Sequence, residues 1–345
     1  MVTPAGGDVL GDRVRDLRLA RGLTQAQLAE LAGVSRQLVG AVEADRHLPR
    51  VDAAARLAAA LSTTVEELLA PERRDVVGVI EDPADGALVR VGRVGDRLVC
   101  VPADGSGEGW ATADAQVWDG AVRLFDVERP AAVVAGCDPI IGLASRLLEA
   151  TSGPRVVPVV TSSGTAVGVL ADGRSHAVMV HGPAGDLSQP PAPVRRWHIA
   201  RWQVGLAAPA ELSGGWVEDA LAGRLPVAQR EAGAGSQAAF ERARHDGAAG
   251  EASVEGPRVS GHAQAASRAA NDGIVAVTIE PAALALGLAF HALEEHVSQL
   301  WVAVDTADNA VLDAFLEELT GNRVHRRLAA IGGYDLTDNG TEVAT

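Results

Sequence analysis

The sequence contains no lysine, since all 30 of its basic residues are arginine. Without lysine the chain can form neither a Schiff base nor a phosphate loop of the Gly-Lys-Ser/Thr type. The segment REAGAGS, residues 230–236, has the glycines of such a loop but lacks its lysine. We therefore expect this segment to offer backbone amides to a small anion at the start of a helix, and nucleotide binding is disfavoured.

Aromatic residues and cysteines are also scarce. Aromatics make up 3% of the chain, so its cores must consist mainly of alanine, valine and leucine. The two cysteines, Cys100 and Cys137, lie far apart, which predicts reduced thiols in a cytoplasmic protein. The first residues lack the apolar segment of a secretion signal, and no run of about 18 apolar residues occurs. We therefore expect a cytoplasmic location and no contact with a membrane.

Negative charge prevails in the 345 residues, with a formal net charge of −15, but it is unevenly distributed. Residues 1–70 contain eight arginines and nine acidic residues, so nearly all of the excess lies beyond residue 70. Residues 13–50 are locally basic, with seven arginines and four acidic residues. The length predicts two or three domains. A basic end on an acidic chain indicates a small DNA-binding domain attached to a larger acidic one.

The segment TQAQLAELAGVSRQLVGAVE, residues 24–43, has the signals of two helices joined by a tight turn. Thr24 and Gln27 match a capping box before the first helix, and Ser35 is a suitable cap for the second. Gly33 lies between them, where glycine permits the turn. The pattern predicts a helix-turn-helix with helices at residues 24–31 and 35–43, the latter being the recognition helix.

Over residues 9–70 the chain resembles the Xre (Cro/C1-type) family of DNA-binding domains. The resemblance implies a homodimer that binds a double-stranded DNA operator. Arg36, Gln37 and Ala41 would face base edges, since arginine suits guanine and glutamine suits adenine. Glu43 would fix the following loop through an arginine. The residues expected at the DNA are Thr24, Gln25, Ser35, Arg36, Gln37, Ala41, Arg46 and Arg50, with Gln25, Arg46 and Arg50 at phosphates.

Residues 73–130 contain short β-branched runs separated by Asp, Gly and Pro, such as ALVRVGRV and RLVCVPAD. We expect a small antiparallel β unit here. It would connect a helix-turn-helix domain over residues 1–72 to a body over residues 131–345.

The body alternates strands with helices, which predicts an α/β domain with a largely parallel sheet. Among the predicted strands are AAVVAGCD, RVVPVVTSS, HAVMVHG and IVAVTI, with FHALEE and SQLWVAVD as two further ones. Ligands of such folds bind at the carboxyl ends of strands, beside helix N-termini. The candidate ligand-binding residues at those ends are Asp138, Ser162, Ser163, Thr165, His181, Arg230, Gly235, Ser236, Thr278 and Glu280.

Residues 131–340 resemble the type II periplasmic-binding-protein-like domain, through segments such as VAGCDPIIGLASRLL, QREAGAGSQAAFERA and GHAQAASRAANDGIVAVTIEPAALALGL. This resemblance implies two lobes with a ligand between them. The body is also similar to molybdate- and tungstate-binding proteins, which surround an oxyanion with hydroxyls and backbone amides. That similarity places six residues at the ligand: Ser162, Ser163, Thr165, Arg230, Ser236 and Thr278.

Local spacing gives no indication of a metal site. The histidines show no H-x-x-x-H pattern and the cysteines no C-x-x-C pattern, so we expect no metal ligands. Cys137 is interpreted as structural, because a nucleophile needs a base and only His181 is a nearby candidate. Paired carboxylates at active-site spacing are also lacking, so we expect no catalytic residues.

The favoured hypothesis is a multidomain transcriptional regulator with an all-α head, a small β-rich middle and a two-lobed α/β body. It would not be an enzyme and would need no cofactor. Its effector would be a small molecule, with an oxyanion such as molybdate or tungstate as one candidate, since the fold also holds amino acids, organic acids and cations. Two alternatives stay open. One is an enzyme acting on a molybdopterin-like or phosphorylated compound, and the other is a DNA-binding protein whose body only dimerises.

Overall fold

The computed structural model describes residues 10–44, 46–69, 77–103, 107–125, 131–151, 154–187, 189–212, 214–246, 253–306 and 309–343. Contacts between residues divide the chain into two units. The first unit consists of residues 1–76, 83–90 and 102–129, and the second of residues 77–82, 91–101 and 130–345.

The first unit begins with a bundle of short helices. These are α1 (Leu10–Ala20), α2 (Gln25–Ala32), α3 (Arg36–Glu43), α4 (Val51–Ala60) and α5 (Val65–Leu69). The predicted caps are confirmed: Thr24 and Gln27 form a capping box at α2, and the side chain of Ser35 accepts from the backbone of α3. Gly33 has a φ of 61°, which a glycine adopts without strain, and this makes the turn between the two helices.

Apolar side chains from all five helices form the core of this bundle. Its buried members include Val14, Leu28, Val39, Val42, Leu57, Leu61 and Leu68. Burying such side chains contributes on the order of 2 kcal/mol each. α3 is the second helix of the helix-turn-helix, and Val39 and Val42 fix its inner face while leaving the opposite face to solvent.

A buried ion pair joins α3 to α1. Arg18 Nε donates to Glu43 Oε1 over 2.6 Å, and Gln25 Nε2 donates to Glu43 Oε2 over 2.8 Å. Burial alone would raise the pKa of Glu43, but the hydrogen bonds from Arg18 and Gln25 lower it below its ordinary value. Glu43 is therefore held by an arginine of α1, and, contrary to expectation, the described contacts do not connect it to the loop that follows α3.

A small five-stranded sheet follows. Its strands are β1 (Val77–Gly78), β2 (Leu88–Val94), β3 (Arg97–Pro102), β4 (Ala115–Trp118) and β5 (Ala121–Leu124), in the order β1-β3-β2-β4-β5, with the short helix α6 (Gly107–Thr112) between β3 and β4. β4 pairs antiparallel with β2 and β5, as expected, whereas β1 pairs with β3 in parallel. Within the second unit, Val94 and Val99 of this sheet pack against Val133 and Val157 in one apolar core.

The rest of the second unit is a body of two lobes. The first lobe contains β6 (Ala131–Gly136), β7 (Arg155–Val160), β8 (Ala177–Gly182), α7 (Ile140–Glu149), α8 (Ser163–Ala171), α13 (Ala310–Leu319) and α14 (Asn322–Ile331). The second lobe contains β10 (Val227–Arg230), β11 (Arg258–Val259), β12 (Val275–Ile279), α9 (Trp216–Leu221), α10 (Gly235–Asp246), α11 (His262–Asp272) and α12 (Glu280–Leu284).

Two long strands, β9 (Val194–Ala208) and β13 (Ala289–Ala303), run through both lobes. β13 pairs with β8 in the first lobe, β9 pairs with β12 in the second, and the two pair with each other along their length. The sheet order is β11-β10-β12-β9-β13-β8-β6-β7. The described residues contain no helix long and apolar enough to cross a membrane.

Two expectations about this sheet are wrong. FHALEE and SQLWVAVD belong to the single strand β13, whose first half is largely accessible and whose second half is buried. The sheet is mixed, because β9 and β13 pair antiparallel with each other and with their neighbours, while only the flanking strands pair in parallel. β13 therefore passes from one lobe to the other as a single strand, which explains why it is longer than either predicted segment.

The buried ion pair of the helical bundle can be tested with Glu43→Gln. Since a neutral amide cannot pair with Arg18 as a charge, we expect the free energy of unfolding of the bundle to fall by about 1–3 kcal/mol at neutral pH. The folded-state pKa of Glu43 is lowered, so its contribution is present above the ordinary value of 4.5 and is lost as pH falls through the lowered value.

The measurement is thermal unfolding of the full chain by far-ultraviolet circular dichroism at neutral and acidic pH. Tryptophan fluorescence separates the helical bundle from the rest of the chain, because all six tryptophans lie at or beyond residue 110, outside the bundle. Glu30→Gln on the exposed side of α2 is the control. A deficit of the same size at neutral and strongly acidic pH would contradict the assignment of this pair.

Candidate functional site

The first candidate surface is the outer face of the helix-turn-helix. Arg36 and Gln37, at the start of α3, are exposed, as are Arg46 and Arg50 in the following loop, while Ala41 is half-buried. Arginine and glutamine at the start of a recognition helix are the side chains that pair in bidentate fashion with guanine and adenine. Exposed hydrogen-bond donors for base edges and exposed arginines for phosphates therefore occur together in α3 and the loop that follows it.

Three other residues expected at the DNA also have structural roles. The side-chain oxygens of Thr24 and Ser35 cap α2 and α3. The amide nitrogen of Gln25 is bonded to Glu43, so its phosphate contact stays a prediction.

The second candidate site lies where the two lobes of the body face each other. Cys137 follows β6, and His181 lies in β8, both in the first lobe. His262 begins α11 in the second lobe, and His296 lies in the crossing strand β13. All four are buried, and the ring of Trp202 from β9 lies 4.6 Å from that of His181. We refer to Cys137, His181, His262 and His296 as the cleft cluster.

The polar atoms of the cleft cluster are in mutual contact. Cys137 Sγ lies 3.1 Å from His181 Nε2 and 3.4 Å from His262 Nε2, and these two nitrogens are 3.4 Å apart. His181 Nδ1 lies 2.9 Å from His296 Nδ1, and His296 Nε2 lies 3.1 Å from Glu294 Oε2. A continuous series of hydrogen-bonding groups therefore runs from the thiol to a half-buried carboxylate.

Arg230, at the end of β10, supplies a buried positive charge beside this cluster, and none of its surface is exposed. Its guanidinium donates to His262 Nδ1 over 2.6 Å, to the Ser260 carbonyl over 2.6 Å and to the Val259 carbonyl over 3.3 Å, with Ser236 Oγ at 3.5 Å. Arginine has only donors, so Nδ1 of His262 accepts and the neutral ring carries its proton on Nε2.

The cluster itself is uncharged beside that guanidinium. Burial, and then the nearby positive groups, lower the pKa of His181 and of His262 well below the ordinary value. Burial raises the pKa of the Cys137 thiol to about 11, although Arg230 opposes this. Among the residues that the structure describes, no carboxylate lies within ion-pair distance of Arg230.

Asp138, a predicted ligand residue, connects the first lobe to the crossing strands. Its carboxylate accepts from the Ile140 amide at 3.1 Å and the Tyr334 hydroxyl at 2.8 Å. It also accepts from Trp202 Nε1 and Ser298 Oγ, each at 3.3 Å. Burial raises the pKa of Asp138 despite these bonds. Its oxygens are committed to protein donors, so its role here is structural.

Beside Asp138 lies an apolar cavity of about 230 Å³. Its lining comes from α7, α11, α12 and α14 and includes Pro139, Ile140, Ala263, Pro281, Leu286 and Tyr334. Since Tyr334 also bonds Asp138, the cavity adjoins the polar groups of the cleft.

The segments TSSGT, residues 161–165, and REAGAGS face each other across the cleft. Glu231 Oε1 accepts from the Ser162 amide over 2.5 Å at the start of α8. A Cβ at Gly164 would lie 3.2 Å from the Gly233 carbonyl oxygen, so only a residue without a side chain fits comfortably there. We call the bond from Ser162 to Glu231 the interlobe latch. Arg230 points away from α8, toward His262.

The other predicted ligand residues take supporting positions. Ser162 Oγ caps α8 by accepting from the Thr165 amide, and Ser163 Oγ accepts from the His181 amide over 3.1 Å. Thr278 Oγ1 donates to the His262 carbonyl over 2.9 Å.

Gly235 and Glu280 complete the predicted set. A Cβ at Gly235 would lie 3.5 Å from the rings of both His181 and His296, so a larger side chain would press on the cluster. Glu280 begins α12, and the described contacts do not connect it to the cluster.

Sequence reasoning missed His262, His296 and Trp202, and it interpreted Cys137 as structural. The expectation of no metal ligands rested on local spacing alone, whereas Cys137 and His262 are 125 residues apart. The available signals were positional: Cys137 follows a buried strand and His262 opens a helix after Gly261. A histidine at the start of a helix can reach the end of a neighbouring strand, just as the hydroxyl groups at such positions can. His262 could therefore have been included among the candidate residues on the same ground.

Comparison with known proteins places both units in families. A family described as a helix-turn-helix matches residues 14–68. A family described as the PBP superfamily domain matches residues 144–320, which is more than half of the chain. The chain belongs to the PBP superfamily. It carries an N-terminal helix-turn-helix domain of the Xre type ahead of the PBP-like domain.

Solved structures resemble each part separately. The restriction-modification controller protein C.AhdI from Aeromonas hydrophila is 40% identical over 17% of this chain and 91% of that chain, with a TM-score of 0.17. A putative phosphate ABC transporter substrate-binding protein from Clostridium perfringens, solved with phosphate, is 12% identical over 60% of this chain and 99% of that one, with a TM-score of 0.47.

The regulatory domain of CcmR from Synechocystis, solved in complex with 2-PG, is 12% identical over 55% of this chain and 95% of that one, with a TM-score of 0.41. Curated protein sequences gave no match.

The interlobe latch of the PBP-like domain can be tested with Glu231→Ala. The bond joins a carboxylate to a backbone amide, so its loss should ease separation of the lobes by about 1–3 kcal/mol. Hydrogen exchange should then become about tenfold faster, or more, at the Ser162 amide and the first turn of α8.

The control for the latch is Glu218→Ala, an exposed acid at the start of α9 in the same lobe. Unchanged exchange at Ser162 in Glu231→Ala, measured by mass spectrometry on the full chain, would show that the latch does not hold the lobes together.

Proposed function

We propose that this helix-turn-helix regulator controls transcription in response to a small anion bound in the cleft of its PBP-like domain. The helix-turn-helix binds operator DNA, and the anion binds against Arg230. Tetrahedral oxyanions such as molybdate, tungstate and phosphate, and small organic acids, are the classes of effector to test.

The observation that carries this proposal is the buried charge of Arg230. A guanidinium removed from water is strongly unfavourable unless an anion or several hydrogen bonds compensate it. Two carbonyls and the ring of His262 use part of its donor capacity, and Ser236 Oγ stands at 3.5 Å. An anionic ligand would supply the missing counter-charge, and the first turn of α10 at Gly235 and Ser236 would offer it backbone amides.

The interlobe latch supports the same proposal from the opposite wall of the cleft. The carboxylate of Glu231 stands at the N-terminus of α8, which is the position that a helix favours for an anion. Since an entering ligand must part the lobes, its binding is coupled to the angle between them at β9 and β13. A ligand that prefers one lobe arrangement shifts the population toward that arrangement.

The apolar cavity beside Asp138 widens the range of effectors. Its lining of proline, isoleucine, alanine and leucine suits a hydrocarbon group better than a second charge. An organic acid could place its carboxylate or phosphate near Arg230 and its apolar part there. The panel therefore includes organic acids with an apolar part, beside the metal oxyanions and beside phosphate and 2-PG, the ligands of two structural neighbours.

The effector site is tested with Arg230→Met, which keeps an unbranched apolar stem at this buried position but removes the charge and the donors. We expect an effector from the panel to raise the thermal midpoint of the wild-type chain, and its affinity for the variant to fall by about a hundredfold. Differential scanning fluorimetry identifies the effector, and calorimetric titration gives the two affinities.

Arg224→Ala is the matched control, because Arg224 is an exposed arginine of the same lobe paired with Asp219. Circular dichroism establishes that Arg230→Met folds. If no anion in the panel stabilises the wild-type chain, the body is better explained as a dimerisation domain. An affinity that Arg230→Met leaves unchanged would place the effector elsewhere.

The DNA surface is tested with substitutions of two kinds, after the operator has been selected from random or genomic DNA. Arg36→Ala should cost about 1–3 kcal/mol of binding and relax the preference at one base pair. Arg50→Ala should weaken binding to all sequences alike and lower the salt dependence by about one released ion. Mobility shifts over a range of salt measure both effects.

The control for DNA binding is Arg56→Ala, since Arg56 lies outside the two central helices on α4 and pairs with Asp52. Equal losses for Arg36→Ala on operator and random DNA would contradict a role in base recognition. Repeating the shifts with the effector then reports whether it strengthens or weakens operator binding.

A further inference from the structure

The cleft cluster contains three ligand atoms arranged around one point. Cys137 Sγ, His181 Nε2 and His262 Nε2 form a triangle with sides of 3.1, 3.4 and 3.4 Å. The centre of such a triangle lies about 1.9 Å from each corner, because that distance is the side divided by √3. A metal ion slightly out of the plane would reach the roughly 2.0–2.1 Å of a metal–imidazole bond and the roughly 2.3 Å of a metal–thiolate bond.

The chemistry of the three side chains selects the class of ion. A thiolate with two imidazoles suits thiophilic d10 ions such as Zn²⁺ and Cu⁺, and it disfavours hard ions that prefer oxygen. All three residues are buried, which protects a bound ion from water. A cluster assembled from two lobes would also bind its ion only when the lobes are together.

Hydrogen bonds around the triangle already orient one of its rings. If His181 binds an ion through Nε2, its Nδ1 carries the proton and donates to His296 Nδ1 at 2.9 Å. His296 then donates from Nε2 to Glu294, which is held in turn by Arg242. A histidine ligand supported through its second nitrogen by a further group is typical of metal sites in proteins.

The ring of His262 requires one change. Arg230 donates to its Nδ1, so the proton of the neutral ring lies on Nε2, toward Cys137 and His181. An ion at Nε2 moves the ring proton to Nδ1, which can then no longer accept from Arg230. The Nη1–H group of Arg230 that had donated to Nδ1 must therefore turn to another acceptor, such as Ser236 Oγ or a bound anion. Ion binding therefore releases donor capacity of Arg230 and leaves its two carbonyl bonds in place.

We propose that Cys137, His181 and His262 form a binding site for one thiophilic d10 metal ion. With Cu⁺ the thiolate balances the charge of the ion, and three ligands suffice. With Zn²⁺ a positive charge remains beside Arg230, so the fourth ligand is a small anion from the solvent, such as hydroxide or chloride. The site goes beyond the proposed function, because it requires neither an effector nor DNA.

The test is metal titration of the full chain, purified metal-free, without DNA and in a buffer free of oxyanions. Co²⁺ serves as a spectroscopic substitute for Zn²⁺, and one equivalent should produce thiolate-to-cobalt charge-transfer absorption that Zn²⁺ removes. Cu⁺ is titrated separately under reducing conditions against a chromophoric chelator. The two titrations decide which ion is bound more tightly.

Variants assign the ligands. Cys137→Ser should abolish the charge-transfer absorption, and His181→Asn and His262→Asn should each weaken binding at least about tenfold. Cys100→Ser is the control for the second buried thiol, and His291→Asn is the control for an exposed histidine on β13. Both controls should bind like the wild-type chain, and circular dichroism establishes that each variant folds.

Two results would overturn the proposal. One is the absence of stoichiometric binding of either ion to the wild-type chain, and the other is binding that survives loss of Cys137 and of His262. Neither result bears on the anion at Arg230, since that is measured with metal-free protein. Conversely, if no anion of the panel binds to the chain, the metal titration can still show binding of Cu⁺ or Zn²⁺.

Discussion

The buried guanidinium of Arg230 is the constraint on which the arrangement of the cleft depends. It has no carboxylate partner within ion-pair distance among the described residues, and its donors fix the carbonyls of Val259 and Ser260 and the Nδ1 atom of His262. Through that last bond it sets the tautomer of His262 and hence what the ring offers to Cys137. One cation thus organises both the charge and the proton positions of the cluster.

Two long strands join the two lobes at this arrangement. β9 and β13 carry Trp202, His296 and Ser298 to the level at which the lobes meet, and Asp138 ties the first and last of these to the first lobe. Glu231 closes the cleft from the second lobe by bonding the first turn of α8. Since these contacts join the lobes and the crossing strands, the proposed coupling between ligand and lobe arrangement would act through them.

The helical head could be predicted almost completely, because its caps and turn are local: Thr24, Gln27, Gly33 and Ser35 act within a few residues of themselves. Most strands and helices of the body could be predicted from the sequence. The prediction of a largely parallel sheet is wrong, because β9 and β13 pair antiparallel. The single strand β13 was predicted as two strands, because its hydrophobic pattern changes where it passes from an accessible half to a buried one. The cleft cluster could not be predicted from spacing, because its members come from four separate elements. Arg230, Ser236 and His181 were among the predicted site residues and lie at the cluster, whereas His262 and His296 were not among them.

The measurement that tests the central claim most directly is the position of a bound oxyanion. Tungstate is a suitable probe, since its strong anomalous scattering locates it in crystals of the full chain without reference to the protein. We expect a peak within hydrogen-bond distance of the Arg230 guanidinium, near the first turn of α10. A peak only on the surface of the chain, or at the start of α8 with Arg230 still bonded to His262, would contradict the central claim.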